Sequence, residues 1–302
     1  MTNVIEVTNL TKRFGRLVAV DDISFRVREG EIFGLLGENG AGKTTTLEIL
    51  EGFQKPDRGE ARVLGENPHS AHRDWRDRIG LVLQESDFDP VHTVSEIVTL
   101  FAGFFSNPRD VRETLDLVGL ADKAKERVGR LSGGQKRRVD VALGIIGRPR
   151  LLFLDEPTTG FDPIARSEFW SVIEGLRADG TSIVLTTHYM EEAERLCDRL
   201  AIMAKGQIVA EGTSSTLISA MGATTVRFEL PPELDVDTLR RVTGADFVVR
   251  DSVATALLGS QMQDVLLRLL AWATPRGITL HRLEVLRPSL NDVFLGATGS
   301  DR

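Results

Sequence analysis

From Glu31 to Leu50 the chain reads EIFGLLGENGAGKTTTLEIL. An apolar run passes into a loop with three glycines and then, through a lysine, into a helical stretch, and few folds accommodate that order. The run has the character of a strand buried on both faces, which calls for a parallel sheet covered by helices. Gly37, Glu38, Asn39, Gly40, Ala41, Gly42, Lys43, Thr44 and Thr45 fit the pattern G-x-x-x-x-G-K-[ST] between a strand and a helix, the context that gives the pattern its meaning. Glycine permits backbone angles and close approaches that a Cβ forbids. Successive N–H groups can then converge on an anion at the helix N-terminus, where the macrodipole adds about half a positive charge. Lys43 is placed to reach the outer phosphates of a nucleotide, and the Thr44 hydroxyl to ligate Mg²⁺.

The rest of the sequence extends that sheet. IGLVLQ, LLFL and SIVLTT are further buried-strand runs separated by helical patterns, and AIMA, Lys205-Gly206 and QIVAEG read as a hairpin. IEVTNL, LVAV and ISFRVREG read as short strands of an antiparallel portion, and residues 85–147 are predicted to be mostly helical. The expected class is α/β, mostly parallel, with an antiparallel portion and a helical subdomain. Composition changes after Met221, beyond which every basic residue is arginine or histidine. The pattern there, β-α-β-β-α-β-α, resembles a small split βαβ domain of α+β class. The expected domains are therefore 1–221 and 222–302.

Several function classes are disfavoured by composition. Of 302 residues 44 are acidic and 37 are Lys or Arg, a net charge of -7, which offers no general attraction for nucleic acid or an anionic membrane face. Cys197 is the only cysteine, so no intrachain disulfide forms, and its helical context is that of a small buried residue. The N-terminus MTNVIEVTNL lacks the pattern of a signal peptide. VSEIVTLFAGFF is the most lipophilic stretch, but it contains Glu96 and falls short of the roughly twenty apolar residues a bilayer requires. Work at a membrane would need a separate anchor.

Candidate chemistry gathers at strand ends. LLFL runs into Asp155 and Glu156, and in open α/β sheets ligands collect at the carboxyl ends of strands. Asp155 is the natural carboxylate for the Mg²⁺ side. Glu156 is the candidate to polarise an attacking water, an effect worth on the order of 10²–10⁴ in rate. Gln84 ends IGLVLQ and can ligate Mg²⁺ or the water; His188 follows SIVLTT and can hydrogen-bond a γ-phosphate.

A second helix start lies far from the first. Leu131-Ser132-Gly133-Gly134-Gln135 fits a capping box, Ser132 to Gln135, opening a helix with apolar positions Val139, Ala142, Leu143 and Ile146. With two glycines and a small hydroxyl it is equally an anion site that has no lysine and no metal ligand. That composition suits a segment that cradles a phosphate bound by another copy of the chain.

Taken in order, GENGAGKTT, Gln84, LSGGQ, LLFLDE, TTGFD and His188 resemble the nucleotide-binding subunit of ATP-binding cassette (ABC) transporters over residues 1–220. The resemblance implies a P-loop NTPase cassette binding ATP and Mg²⁺, and a head-to-tail homodimer with ATP held between GENGAGKTT of one copy and Ser132, Gly133, Gly134 and Gln135 of the other. It implies that Asp162 communicates across that interface and that Phe14 stacks on adenine, where the family more often has tyrosine. It further implies a separate integral membrane permease as partner, no nucleic acid partner, and a cytoplasmic location on the inner membrane face. EPTTGFDP, THYMEEAERLCDRLAIMAKGQIVAEGT and the tail PSLNDVFLGATG resemble type-2 exporters of the daunorubicin/doxorubicin-resistance group, which move drugs, lipids or polysaccharides.

Overall fold

The computed structural model describes residues 2–82, 89–222, 224–259 and 261–298. Gln84 lies outside them. The chain divides into two compact units, Met1–Ser214 and Ser215–Arg302.

In the first unit the elements run β1 (Asn3–Phe14), β2 (Leu17–Arg28), β3 (Ile32–Gly37), α1 (Lys43–Leu50), β4 (Arg58–Val63), α2 (Arg73–Arg76), β5 (Ile79–Val82), α3 (Val94–Ala102), α4 (Val111–Leu117), α5 (Gly133–Ile145), β6 (Leu151–Leu154), α6 (Pro163–Ala178), β7 (Ser182–Thr187), α7 (Met190–Leu196), β8 (Arg199–Ala204) and β9 (Gln207–Gly212). Six strands form one sheet in the order β5-β6-β7-β3-β8-β9, parallel except for β9. Because its central strands are covered on both sides, they read as unbroken apolar runs, and alternate residues enter different cores. Ile32, Leu152, Leu154, Ile183 and Leu185 pack with the helical segment, while Phe33, Leu35, Leu151, Phe153 and Val184 pack towards the antiparallel sheet β2-β1-β4. Phe25 of β2 stacks on Phe33 of β3 with ring centroids 5.3 Å apart and so ties the two sheets together.

The N-terminal region differs from the run of short strands read in the sequence. It forms two strands of 12 residues each, β1 and β2, joined at Gly15-Arg16 and interrupted by register shifts. Asn9 and Asp22 take left-handed φ values of 47° and 55°, and the Asn9 amide donates to Asp22 Oδ1 at 3.0 Å. These are residue types that tolerate such angles. The bulges hide one long hairpin behind an apparently broken pattern.

The second unit runs β10 (Thr224–Glu229), α9 (Val236–Thr243), β11 (Val248–Arg250), β12 (Val253–Leu258), α10 (Met262–Ala273), β13 (Glu284–Leu286) and α11 (Leu290–Thr298), with helix α8 (Ser214–Ala220) leading into it. The antiparallel order β11-β12-β10-β13 places β12 between the two strands of a βαβ unit, the split arrangement expected from the element pattern. Its core is Val226, Phe228, Leu239, Phe247, Ala254 and Leu269.

In the first unit, α5 approaches β5 so closely that a Cβ on Gly80 would stand 2.1 Å from the Gly144 carbonyl oxygen. Backbone has to move to admit it. Gly80→Ala is therefore expected to destabilise the protein by about 1–3 kcal/mol, read as a lowered urea midpoint with unchanged m-value.

Candidate functional site

Strand β3 delivers the glycine loop to the sheet's carboxyl edge. Gly40 and Gly42 sit at φ 81° and 101°, and a Cβ on Gly42 would stand 2.3 Å from the Ala19 carbonyl. Gly37 is equally constrained, its Cβ position lying 2.7 Å from the Met203 carbonyl. The loop is thus wedged between β2 and β8. The Lys43 ammonium is buried and donates to the Gly37 and Glu38 carbonyls at 2.8 and 3.2 Å. Thr44 is exposed at the first turn of α1, and Thr45 is half-buried beside it.

Two strands away, β6 ends at Asp155 and Glu156. Asp155 is buried and accepts from the Thr186 hydroxyl of β7. That same hydroxyl oxygen accepts the Glu156 N–H at 2.9 Å. Glu156 takes a left-handed φ of 43°, a strained angle for a side chain of its kind. The turn directs its carboxylate into the site: Oε1 lies 3.3 Å from Lys43 Nζ and Oε2 lies 3.4 Å from His188 Nδ1, with the Thr159 hydroxyl donating to Oε2 at 3.4 Å. A carboxylate, an ammonium and an imidazole from three different strand ends therefore meet.

A cleft of about 430 Å³ opens over them, lined by Phe14, Leu17, Ala19, Asn39, Gly40, Gly42, Lys43, Thr44, Thr45 and Glu156. Phe14 is 45% exposed, with Lys12 Nζ 5.3 Å from its ring centroid, so one ring face is offered to a planar ligand at the far end of the phosphate loop. Thr44 and Asp155 provide a hydroxyl and a carboxylate, the hard oxygen donors that suit Mg²⁺.

LSGGQ starts α5 by the capping box read from the sequence. Gln135 N–H donates to Ser132 Oγ at 3.3 Å, and Ser132 N–H donates to Gln135 Oε1 at 3.0 Å. Ser132 and Gly133 are exposed, whereas Gly134 faces Ala165 of α6, its Cβ position lying 3.3 Å from that side chain. None of these residues lines the cleft. Asp162 caps α6, accepting from the N–H groups of Ile164 and Ala165, both at 2.9 Å.

Three supporting residues were missed in the sequence. Thr186 is the first of two threonines closing the strand SIVLTT, yet it engages both acidic residues after β6. Arg137 looked like one of several bases after LSGGQ. In fact it is buried and donates to the Asp155 and Pro157 carbonyls at 2.8 and 3.1 Å, with Asp140 Oδ2 at 3.5 Å. Burial pulls its guanidinium below the usual range, partly opposed by Asp140. Glu192, in the first turn of α7, is fully buried and accepts from Trp170 Nε1 at 3.1 Å. Its only sequence signal is a place one turn into an apolar helix face.

A second cavity, of about 720 Å³, lies in the same unit between α1, α2, β5, α3 and α5. Phe53, Phe101, Phe104 and Phe105 line it, with Arg73 and Arg76 along one side and Glu51 facing in. Burial pushes the Glu51 carboxyl up to about 8, reinforced by the negative charges of Asp155 and Glu48.

A family model described as "ABC transporter" matches residues 20–159, and one described as "ABC transporter domain-containing protein-like, C-terminal domain" matches residues 224–289. The chain is 40% identical over 304 residues to Nod factor export ATP-binding protein I of Burkholderia lata, spanning 98% of this chain and 97% of the relative. It is also 40% identical over 307 residues to the protein of that name from Rhizobium sp. (strain N33), with the same coverage. Among solved structures, cbiO1 from Clostridium perfringens, part of the ABC transporter complex cbiONQ, aligns at TM-score 0.67 and 25% identity over 73% of this chain and 92% of that one. A dimeric post-hydrolysis ATP-binding cassette bound to ADP and Pi aligns at TM-score 0.62 and 25% identity over 69% and 98%.

The Glu51 shift has a signed consequence. Between its ordinary 4.5 and about 8 the folded chain keeps a proton that the unfolded chain releases, so Glu51's contribution to stability falls as pH rises through that window. Glu51→Gln is expected to gain stability over the parent between pH 5 and pH 8 by at least about 1.4 kcal/mol. Urea unfolding of both proteins at the two pH values reads the difference.

Proposed function

The chain belongs to the ABC transporter family as an ATP-binding subunit, an ATPase coupled to transport, and from that premise we propose that it supplies half of each of two composite ATP sites in a head-to-tail homodimer driving a separate membrane exporter. The observation that carries this reading is the separation of LSGGQ from the cleft. A helix start with an exposed hydroxyl stands on the surface, while Lys43 and Glu156 line the cleft, with His188 against Glu156.

In the proposed site Phe14 stacks on adenine and the loop N–H groups from Gly37 to Thr45 bind the phosphates. Lys43 swings from the Gly37 and Glu38 carbonyls to the β- and γ-oxygens, keeping its positive charge near developing negative charge. Thr44 and Asp155 would hold Mg²⁺, which supplies further neutralisation of the phosphates when bound. Glu156 accepts a hydrogen bond from the attacking water and orients it in line with the γ-phosphorus. His188 donates to the γ-phosphate and, through its contact with Glu156, fixes the carboxylate's rotamer. Ser132 and the N–H groups of Gly133 and Gly134 from the second copy cover the other side of that phosphate, with Gln135 bracing the turn through its bonds to Ser132, and Asp162 borders the interface. Gln84, by its sequence position, joins the metal or water.

The relatives named as Nod factor export proteins support export as the direction, and the cargo class we propose is a drug, lipid or polysaccharide-type molecule. No helix among the described residues is long and apolar enough to cross a membrane. Accordingly we place the chain on the cytoplasmic face, held by its permease at the groove beside α3.

Glu156→Gln should bind ATP with near-parental affinity, lose turnover by at least about 100-fold, and accumulate as an ATP-bound dimer in size-exclusion chromatography. Turnover near the parental value would remove Glu156 from the water-activating role. Mixing Lys43→Ala with Ser132→Arg should give a mixed dimer in which one composite site carries neither lesion. Measurable turnover in the mixture, absent from either variant alone, is the expected result.

A further inference from the structure

His188 meets Glu156 through Nδ1, but at 3.4 Å, and that nitrogen is buried without a hydrogen bond among the described residues. The torsion that sets the plane of an imidazole is broad and roughly two-fold. Something other than hydrogen bonding therefore has to fix the plane, and the next residue supplies it. The Tyr189 ring lies against the imidazole with centroids 4.1 Å apart and planes tilted by 40°. Tyr189 stands at the N-cap of α7, a place where Ser, Thr, Asp or Asn serves best, and its side chain makes no capping bond. Its N–H donates to Thr187 Oγ1 at 3.0 Å, which fixes the turn.

The ring is held in turn by α6. Arg166 places its guanidinium carbon 4.3 Å from the Tyr189 ring centroid, within range of cation–π attraction. Its Nε is buried without a hydrogen-bond partner among the described residues, and Nη2 reaches the Phe161 carbonyl only at 3.5 Å. The aromatic ring is thus the chief contact of this guanidinium. Farther along, the two helices stay in register. Arg166, Trp170 and Glu174 share one face of α6, and Tyr189, Glu192 and Arg195 follow one another at helical spacing along α7. Trp170 Nε1 donates to Glu192 Oε1 at 3.1 Å, and Arg195 Nε donates to Glu174 Oε1 at 3.1 Å. The Arg195 guanidinium carbon also lies 5.0 Å from the Trp170 ring. Three rungs tie α7 to α6, and Tyr189 is the rung that touches the site.

We propose that Tyr189 is a positioning residue for ATP hydrolysis: Arg166 holds its ring, and the ring sets the plane in which His188 meets Glu156. This rests on the reading of His188 and Glu156 as parts of the ATP site. With the plane fixed, Nδ1 stays with Glu156 and Nε2 is left for the γ-phosphate. Loss of the ring frees the imidazole to turn about its two-fold torsion, which misdirects both contacts without removing any group of the phosphate loop. The cost falls on the chemical step and not on ATP binding. The hydroxyl has no part in this, so phenylalanine serves as well.

The test measures steady-state ATP turnover of the full-length chain. Tyr189→Leu is expected to lower kcat about tenfold or more while the KM for ATP stays within about twofold of the parent. Tyr189→Phe should stay within about twofold in both. Arg166→Met should lower kcat in the same way, and combining it with Tyr189→Leu should add little. Against the residual turnover of His188→Ala, adding Tyr189→Leu should cost nothing further, because the group it positions is gone. Loss of fold would cost as much there as in the parent, and a comparable loss in both backgrounds overturns the proposal. Parental turnover of Tyr189→Leu, or Tyr189→Phe as slow as Tyr189→Leu, overturns it too. If His188→Ala itself turns over as the parent does, the reading of the site fails, and the proposal with it. Tyr189 is the only tyrosine of the chain, so fluorotyrosine labelling gives a single fluorine NMR resonance. That resonance should move in both Arg166→Met and His188→Ala, and a resonance unmoved by either removes the stack on which the proposal stands.

Discussion

Arg137 donates to the carbonyls of Asp155 and Pro157 from one side, and the Thr186 hydroxyl engages the Asp155 carboxylate from the other. The turn between them sets the position of Glu156, and with it the meeting of Lys43 and His188. Neither supporting group reaches the cleft. The buried guanidinium has Asp140 of its own helix as counter-charge and spends its other donors on the end of β6, so a shift of α5 would break those bonds. The helix begun by LSGGQ and the strand that ends in the acidic pair are therefore mechanically one body.

Much of this was legible because burial on both faces leaves a strong trace. The strands IFGLLG, LLFL and SIVLTT could hardly be anything else, and their C-terminal residues had to emerge together at one edge. The capping box at Ser132 was equally readable, since both partners lie within four residues of sequence. What escaped was whatever depends on long-range placement. Arg137 is one base among several in KRR, and only the approach of α5 to the turn after β6 selects it. Thr186 has the same composition signal as its neighbour Thr187. The bulged hairpin of β1 and β2 looked like separate strands because Asn9 and Asp22 break the alternation that joins them.

The nucleotide cleft and the groove beside α3 handle charge differently. In the nucleotide cleft, opposite charges are mutually engaged, with Glu156 lying between Lys43 and His188. In the groove beside α3, burial and the like charges of Asp155 and Glu48 keep the Glu51 carboxyl protonated up to about 8. Asp155 belongs to both surroundings, since it ends the strand that forms the first and acts electrostatically on Glu51 in the second.

The capping box at LSGGQ has a thermodynamic consequence. Ser132 Oγ already accepts from Gln135 N–H, and the Gln135 side chain already accepts from Ser132 N–H. The hydroxyl proton of Ser132 remains a donor, and the first turn of α5 is rigid before any second copy approaches. In the proposed head-to-tail dimer, ordering entropy for this half of the interface would thus be lost during folding and not at the encounter.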